Sequence, residues 1–178
     1  AFNYNPNATS DDGSCYFGQS DCNLPEETFI NTGSNMTVVF TPDVLSNLPI
    51  TSMTPYVVAL TNSGLIVGSS SLAEEYIING HSTITVWGDD TTTPEVDGAF
   101  GGEWIYFQLI DGDVLFDLNL SFAGINAYES NSILPAIGVS SNFNCAQVVG
   151  DDVYGCTNAS AFNYNPNATS DDGSCYFG

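Results

Sequence analysis

The chain has 178 residues, of which 43% are hydrophobic, and it contains no lysine or arginine but 21 aspartate and glutamate residues. The formal net charge of −21 disfavours binding to DNA, RNA or anionic lipid headgroups, because the surface has almost nothing to neutralise phosphates. The same charge favours bound metal ions as the counter-charge, and calcium is the cation that best suits oxygen ligands. The alternative explanation is an acid-rich surface suited to a salty medium.

The first 18 residues, AFNYNPNATSDDGSCYFG, recur unchanged as residues 161–178. The chain therefore spans one period of 160 residues and the start of the next, which is the pattern of a tandem array. The second copy has a longer left flank that begins near Gly155, so we expect Ala1 to be internal to a longer protein. On this basis residues 1–21 are a linker repeat, residues 22–149 a β-sandwich domain and residues 150–178 a complete linker motif.

The central segment alternates short β-prone runs with turn signals, of which Asn62-Ser63-Gly64 and Asp111-Gly112 are hairpin types. Helical turns are expected only at Val44–Asn47 and Leu72–Tyr76. The predicted strands are Met36–Phe40, Pro55–Leu60, Leu65–Ser69, Thr83–Gly88, Trp104–Asp111, Val114–Phe122 and Ile137–Cys145. About seven strands at this spacing predict an all-β fold, an immunoglobulin-like antiparallel β-sandwich.

An acidic segment follows the fourth predicted strand and carries five carboxylates within fifteen residues. They belong to Asp89, Asp90, Glu95, Asp97 and Glu103. Gathering like charges is unfavourable without a cation or full solvation, so we predict calcium here, with a solvated acidic loop as the alternative.

An enzyme would use such carboxylates as general acid and base, with Trp87 or Trp104 as a platform for a sugar ring. We expect no enzyme, because His81 is the single histidine and no serine–histidine pair is indicated.

The cysteines follow the repeat. Cys156 and Cys175 bracket a short polar loop and are predicted to pair, as are Cys22 and Cys145 near the two ends of the central segment. Cys15, the copy of Cys175, is expected to pair with a cysteine upstream of the sequence, the alternative being a free thiol. Paired cysteines indicate an oxidising, extracellular compartment.

Oxygen-bearing residues alternate through the repeated motif, and alternate oxygens in a looped backbone can converge on one calcium ion. The predicted ligands are Asn163, Asn165, Asn167, Thr169, Asp171 and Asp172, duplicated as Asn3, Asn5, Asn7, Thr9, Asp11 and Asp12. The spacing does not match an EF-hand, since Ala168 stands where that loop needs glycine and no glutamate closes it. The alternative is a linker of Asx turns held only by its disulfide.

Gly155-Cys156-Thr157, AFNYNP at 161–166 and DDGSC at 171–175 resemble the "GCTD…A.NYNP.A..DDGSC" repeat of very large secreted proteins of marine Bacteroidetes, also present in some giant-virus proteins. The motif is similar in style to thrombospondin type 3 calcium repeats. Asn158 departs from the aspartate that is commoner at its position. The resemblance implies export by the type IX pathway and a cell-surface or filament role, as in gliding-motility adhesins.

We therefore expect a structural or adhesive repeat module of a long extracellular filament or cell-surface adhesin, made rigid by calcium and disulfides. Its expected partners are neighbouring repeats and surface glycans, whereas nucleic acid and membrane insertion are excluded. The alternative is a calcium-dependent carbohydrate-binding module in which Trp87, Trp104 and the acidic segment face a glycan.

Overall fold

The computed structural model describes residues 22–147, 154–166, 168 and 170–177. The chain divides into two units, Ala1–Gln147 and Val148–Gly178, which we describe one at a time. The helices and strands of the first unit are β1 Asn35–Phe40, α1 Pro42–Leu45, β2 Tyr56–Leu60, β3 Ile66–Ser71, a 3₁₀ turn at Glu74–Tyr76, β4 Ser82–Trp87, β5 Tyr106–Asp111, β6 Val114–Phe122 and β7 Ile133–Ala146. The prediction of an all-β fold with about seven strands is confirmed.

All seven strands form one sheet in the order β3-β2-β5-β6-β7-β1-β4. Neighbours are antiparallel except β1 and β7, which run parallel with Thr37 opposite Ile133, so the sheet is mixed rather than antiparallel throughout. The two edge strands, β3 and β4, approach each other closely. At Gly68 of β3 the approach is so close that an added Cβ atom would collide with the carbonyl oxygen of Thr85 on β4. The sheet is therefore nearly closed, as in a sandwich or a barrel-like fold.

The core fills the inside of this nearly closed sheet. Alternate residues of β1 are buried, as the twofold periodicity of a strand requires, and Phe40 is fully enclosed. Its ring meets that of Phe107 on β5 edge to face, with ring centroids 6.3 Å apart, an arrangement that aromatic pairs favour.

A second apolar cluster lies on the outer face of β2, β5, β6 and the end of β7. It consists of Cys22, Val58, Ile110, Leu115 and Cys145. The segment Cys22–Thr32, which we call the strap, contributes to it. Tyr56 Oη donates a hydrogen bond to Pro25 O at 2.6 Å, and Ser69 Oγ both accepts from Thr28 N and donates to Thr28 O at 2.8 Å. The strap is thereby tied to β2 and β3.

The disulfide between Cys22 and Cys145, predicted from their positions, is confirmed, with a Cα–Cα distance of 5.7 Å. It joins the start of the strap to the end of β7 and closes a loop of 123 residues. In the chain-entropy model a loop of this length stabilises the folded state by about 5 kcal/mol.

The second unit is a small disulfide-closed fold that we call the clamp, residues 154–177. Its strands β8 Tyr154–Gly155 and β9 Ser170–Asp171 pair in parallel. The predicted Cys156–Cys175 disulfide is confirmed, with a Cα–Cα distance of 4.7 Å. The expected partner of Cys15 is not tested, because Cys15 lies outside the described residues.

Two disulfides indicate an oxidising, non-cytoplasmic compartment. Among the described residues, no helix has the length and apolar character needed to cross a membrane.

Candidate functional site

Asn163 ties the middle of the clamp to its C-terminal end. Its Nδ2 donates to Ser174 O at 2.8 Å, and its Oδ1 accepts from Tyr176 N at 2.9 Å. The Tyr176 ring stacks on Phe162 with centroids 5.7 Å apart. The side-chain amide of this predicted calcium ligand therefore has a structural role of its own.

Asn165 lies against the start of the clamp. Its backbone N–H donates to Cys156 O at 2.9 Å. A Cβ atom on Gly155 would come within 2.9 Å of Asn165 Nδ2 and 3.3 Å of Ala168 Cβ. Glycine at position 155 thus allows the motif to fold back against β8.

The two acidic residues of the clamp accept hydrogen bonds from the backbone just beyond them. Asp171 Oδ1 accepts from Gly173 N at 3.1 Å, and Asp172 Oδ1 accepts from Ser174 N at 2.8 Å. The hydroxyl and the backbone N–H of Ser174 lower the pKa of Asp172 below its ordinary value, so this carboxylate is ionised at neutral pH. Asn158 Oδ1 accepts from Ser160 N at 2.9 Å in the same way.

These contacts are the Asx turns that the alternative explanation for the motif requires. They do not use all the oxygen lone pairs, since each carboxylate oxygen can accept more than one contact. The other predicted ligands lie outside the described residues. They are Asn167 and Thr169 in the second copy, and Asn3, Asn5, Asn7, Thr9, Asp11 and Asp12 in the first.

In the acidic segment, three aspartates hold the loop after β4. Asp97 Oδ1 accepts from Asp90 N at 3.0 Å, and Asp89 Oδ1 accepts from Asp97 N at 3.1 Å. Hydrogen bonds from the backbone and side chain of Thr92 lower the pKa of Asp90 below its ordinary value. The carboxylates thus serve as acceptors for backbone N–H groups of their own loop.

The other two acidic residues of this segment are placed differently. Glu103 Oε2 accepts from Phe100 N at 3.0 Å in a separate turn, and Glu95 is exposed. In the part of the chain that the structure describes, no three His, Cys, Asp or Glu side chains are grouped to hold a metal ion. Calcium at the acidic segment and at the clamp therefore stays a prediction.

Two glycines fix the base of the acidic segment, and their importance was not anticipated from the sequence. A Cβ atom on Gly98 would collide with the backbone of Gly88, and one on Gly88 would collide with the ring of Tyr128. The Tyr128 hydroxyl in turn contacts Ser34 Oγ at 2.9 Å. These close approaches become visible only once β4 and the loops that follow it are in place.

Asp111 is the one buried carboxylate among the described residues, with 4% of its surface exposed. Its Oδ2 accepts from the backbone N–H and the hydroxyl of Thr51, both at 2.7 Å, and its Oδ1 accepts from Ser52 N at 2.9 Å. Burial raises the pKa of this carboxyl, but the donors on Ser52 and Thr51 lower it by more, so the net shift is downward. The residue anchors the segment between α1 and β2 to the β5–β6 turn.

Comparison with known proteins finds no match to a protein family, to a curated protein or to a solved structure.

Proposed function

We propose that this chain is a structural and adhesive repeat module of a long extracellular filament or cell-surface adhesin. The observation that carries the proposal is the unchanged recurrence of 18 residues after a period of 160. Such recurrence is the signature of an array. In this array β-sheet domains alternate with clamps.

The construction of the clamp supports a role as a stiff connector. A disulfide with a sequence separation of 19 residues removes about 3 kcal/mol of chain entropy from the unfolded state. The Asn163 amide adds a second link, from the middle of the clamp to the residues on either side of Cys175. Lysine-dependent isopeptide cross-links cannot form, since the chain has no lysine. Stiffness must therefore come from disulfides, hydrogen bonds and bound metal.

Calcium is the proposed metal, and the clamp is its proposed site. The side-chain oxygens of Asn163, Asn165, Asp171 and Asp172 are hard ligands of the type that calcium prefers, and Asp172 is ionised at neutral pH. A bound calcium ion would offset part of the net charge of −21 and restrain the polar loop. The resemblance of the motif to repeats of secreted Bacteroidetes proteins supports export by the type IX pathway and a role like that of gliding adhesins.

The metal part is tested by calcium titration of the oxidised chain, with native mass spectrometry to count bound ions. We expect Asp171→Asn combined with Asp172→Asn to abolish binding of one calcium ion. The matched control is Glu74→Gln combined with Glu75→Gln, which removes the same charge from an exposed acidic pair outside the motif. Equal calcium stoichiometry in both double variants would refute the clamp as the site.

The array part is tested on the native material. The polypeptide is isolated from its source and its mass is measured under reducing and denaturing conditions. We expect a mass of several periods, whereas a mass near 18.9 kDa, that of the present chain, would refute the array.

A further inference from the structure

One exposed face of the sheet unit carries aromatic rings beside amide and carboxylate groups. We call it the aromatic–amide face. Its residues are Asn62, Trp104, Tyr106, Gln108, Asp117, Asn119 and Asn144. Trp104, Tyr106 and Gln108 are spaced two residues apart on and just before β5, so they lie on the same side of the strand.

The aromatic rings of this face are turned outward although their neighbours are turned inward. Trp104 is 60% and Tyr106 51% exposed, whereas Ile105 and Phe107 between and beside them are buried. Large aromatic side chains held side by side in solvent on one face of a sheet are typical of recognition surfaces. With Asn62 and Glu103 they line an open depression of about 520 Å³.

Next to the rings, a carboxylate orients two amide side chains. Gln108 Nε2 donates to Asp117 Oδ1 at 2.8 Å, and Asn144 Nδ2 donates to Asp117 Oδ2 at 2.9 Å. The contact with Gln108 follows from the strand register, because the two residues stand opposite each other on β5 and β6. Beyond these contacts each amide has a second N–H donor and a carbonyl acceptor. Donors and acceptors held in fixed orientations suit the hydroxyl groups of a sugar.

The rings and the amides belong to one continuous surface. Gln108, Asp117 and Asn119 line a second depression of about 380 Å³, and Asn62 and Tyr106 line both depressions. A ligand that crosses this surface would meet stacking groups first and hydrogen-bonding groups next.

We propose that the aromatic–amide face binds a neutral polysaccharide. The apolar C–H face of a pyranose ring packs against aromatic rings, and its hydroxyls bond to oriented amides and carboxylates. Sulfated, phosphorylated or uronate-containing glycans are repelled, because the chain carries a net charge of −21 with no lysine or arginine. A second copy of the chain is repelled for the same reason.

This binding is independent of the array and of calcium. It differs from the calcium-dependent alternative predicted from the sequence, in which the acidic segment holds the ion and Trp87 shares the contact. Trp87 lies at the end of β4, is partly buried and does not line either depression. A failed calcium or mass experiment leaves the present proposal unaffected.

The test uses the whole oxidised chain on an array of immobilised neutral glucans, mannans and galactans, together with their sulfated and uronate-containing counterparts. Affinities for the polysaccharides that bind are then measured by titration calorimetry. We expect binding to at least one neutral polysaccharide, and we expect Trp104→Ala and Tyr106→Ala each to weaken it about tenfold or more, which is about 1.4 kcal/mol. An excess of EDTA should leave the affinity unchanged.

Tyr76→Ala is the matched control, because Tyr76 is 59% exposed and lies outside the face; its affinity should equal that of the unaltered chain. Circular dichroism checks that each variant is folded, and Asn119→Ala, at an exposed position, gives a further variant that should also weaken binding. The proposal is overturned if no neutral polysaccharide binds, if only charged glycans bind, if folded Trp104→Ala and Tyr106→Ala bind as tightly as the control, or if EDTA abolishes binding.

Discussion

Replacing the buried carboxylate of Asp111 should destabilise the sheet unit strongly. The side chain accepts three hydrogen bonds of 2.7–2.9 Å, two of them from backbone N–H groups of Thr51 and Ser52. Asp111→Ala removes a charged acceptor and leaves those two donors without it. Hydrogen bonds to a charged group contribute about 1.5–3 kcal/mol, and the two N–H donors are partly buried, so we expect the free energy of unfolding to fall by about 2–4 kcal/mol.

The assay is urea denaturation at pH 7, followed by tryptophan fluorescence. Asp113→Ala is the control, because Asp113 is exposed in the same turn and its loss should change the free energy of unfolding by less than about 0.5 kcal/mol. The folded-state pKa of Asp111 is lowered from 3.8, so its contribution is complete above that pH and is lost as the pH falls through the lower folded-state value. The difference between the chain and Asp111→Ala should therefore shrink only below pH 3.8. Equal destabilisation by the two alanine variants would refute this account of the carboxylate.

Three further predictions concern the same unit. Replacing both Cys22 and Cys145 by serine should lower the free energy of unfolding by about 5 kcal/mol, and loss of less than about 1 kcal/mol in urea denaturation would contradict the chain-entropy estimate. Gly68→Ala should lower the free energy of unfolding by about 1–3 kcal/mol, because the new Cβ atom collides with β4. Gly101→Ala is the control and should leave stability nearly unchanged, since a Cβ atom there meets nothing within 4 Å. Thermal denaturation of the two variants tests the difference. Burial, followed by the negative charges of Glu27 and Glu26 in the strap, raises the pKa of Tyr56 above its ordinary value of 10.0. The stability that the Tyr56 hydroxyl adds is therefore complete below pH 10.0 and is lost as the pH rises through the folded-state pKa. Tyr56→Phe should accordingly weaken the alkaline decline of the thermal midpoint, and an unchanged decline would contradict this.

The strands were predictable because alternating apolar residues and turn residues are local sequence patterns. The disulfides were predictable because few pairings of the cysteines were plausible. The bounds predicted for β6, Val114–Phe122, are those observed, since a glycine turn precedes the strand and its apolar residues alternate. The pairing of Cys156 with Cys175 followed from the polar loop between them. Each of these inferences needed only the residues next to it.

What could not be predicted depends on contacts that the closed sheet creates. β7 begins at Ile133 rather than at the predicted Ile137, because its first residues pair in parallel with β1. The sequence did not indicate this start, since Pro135 argues against a central strand. Asp111 was expected as a strand end and a hairpin-turn residue, but its donors come from Thr51 and Ser52, about 60 residues earlier. No local pattern links positions that far apart.

For the candidate sites, the sequence predicted the composition but not the arrangement. The acidic segment contains residue types that suit a cation. In the structure, however, Asp89 and Asp97 accept hydrogen bonds from backbone N–H groups, and Glu103 lies in another turn. A strand that carries Trp104 and Tyr106 was predicted from the sequence. The amides of Gln108 and Asn144, by contrast, meet at one carboxylate only because three strands lie side by side.

The disulfide between Cys22 and Cys145 also determines how the module would respond to being pulled. Tension applied upstream of residue 22 and downstream of residue 145 passes through the sulfur–sulfur bond and bypasses the sheet. The segment between the two cysteines, with a sequence separation of 123 residues, would span roughly 400 Å if fully extended, but none of that length is released while the bond is intact. An oxidised module is therefore nearly inextensible across the sheet domain. After reduction, the same pull could unfold the sheet and lengthen the module by most of that distance.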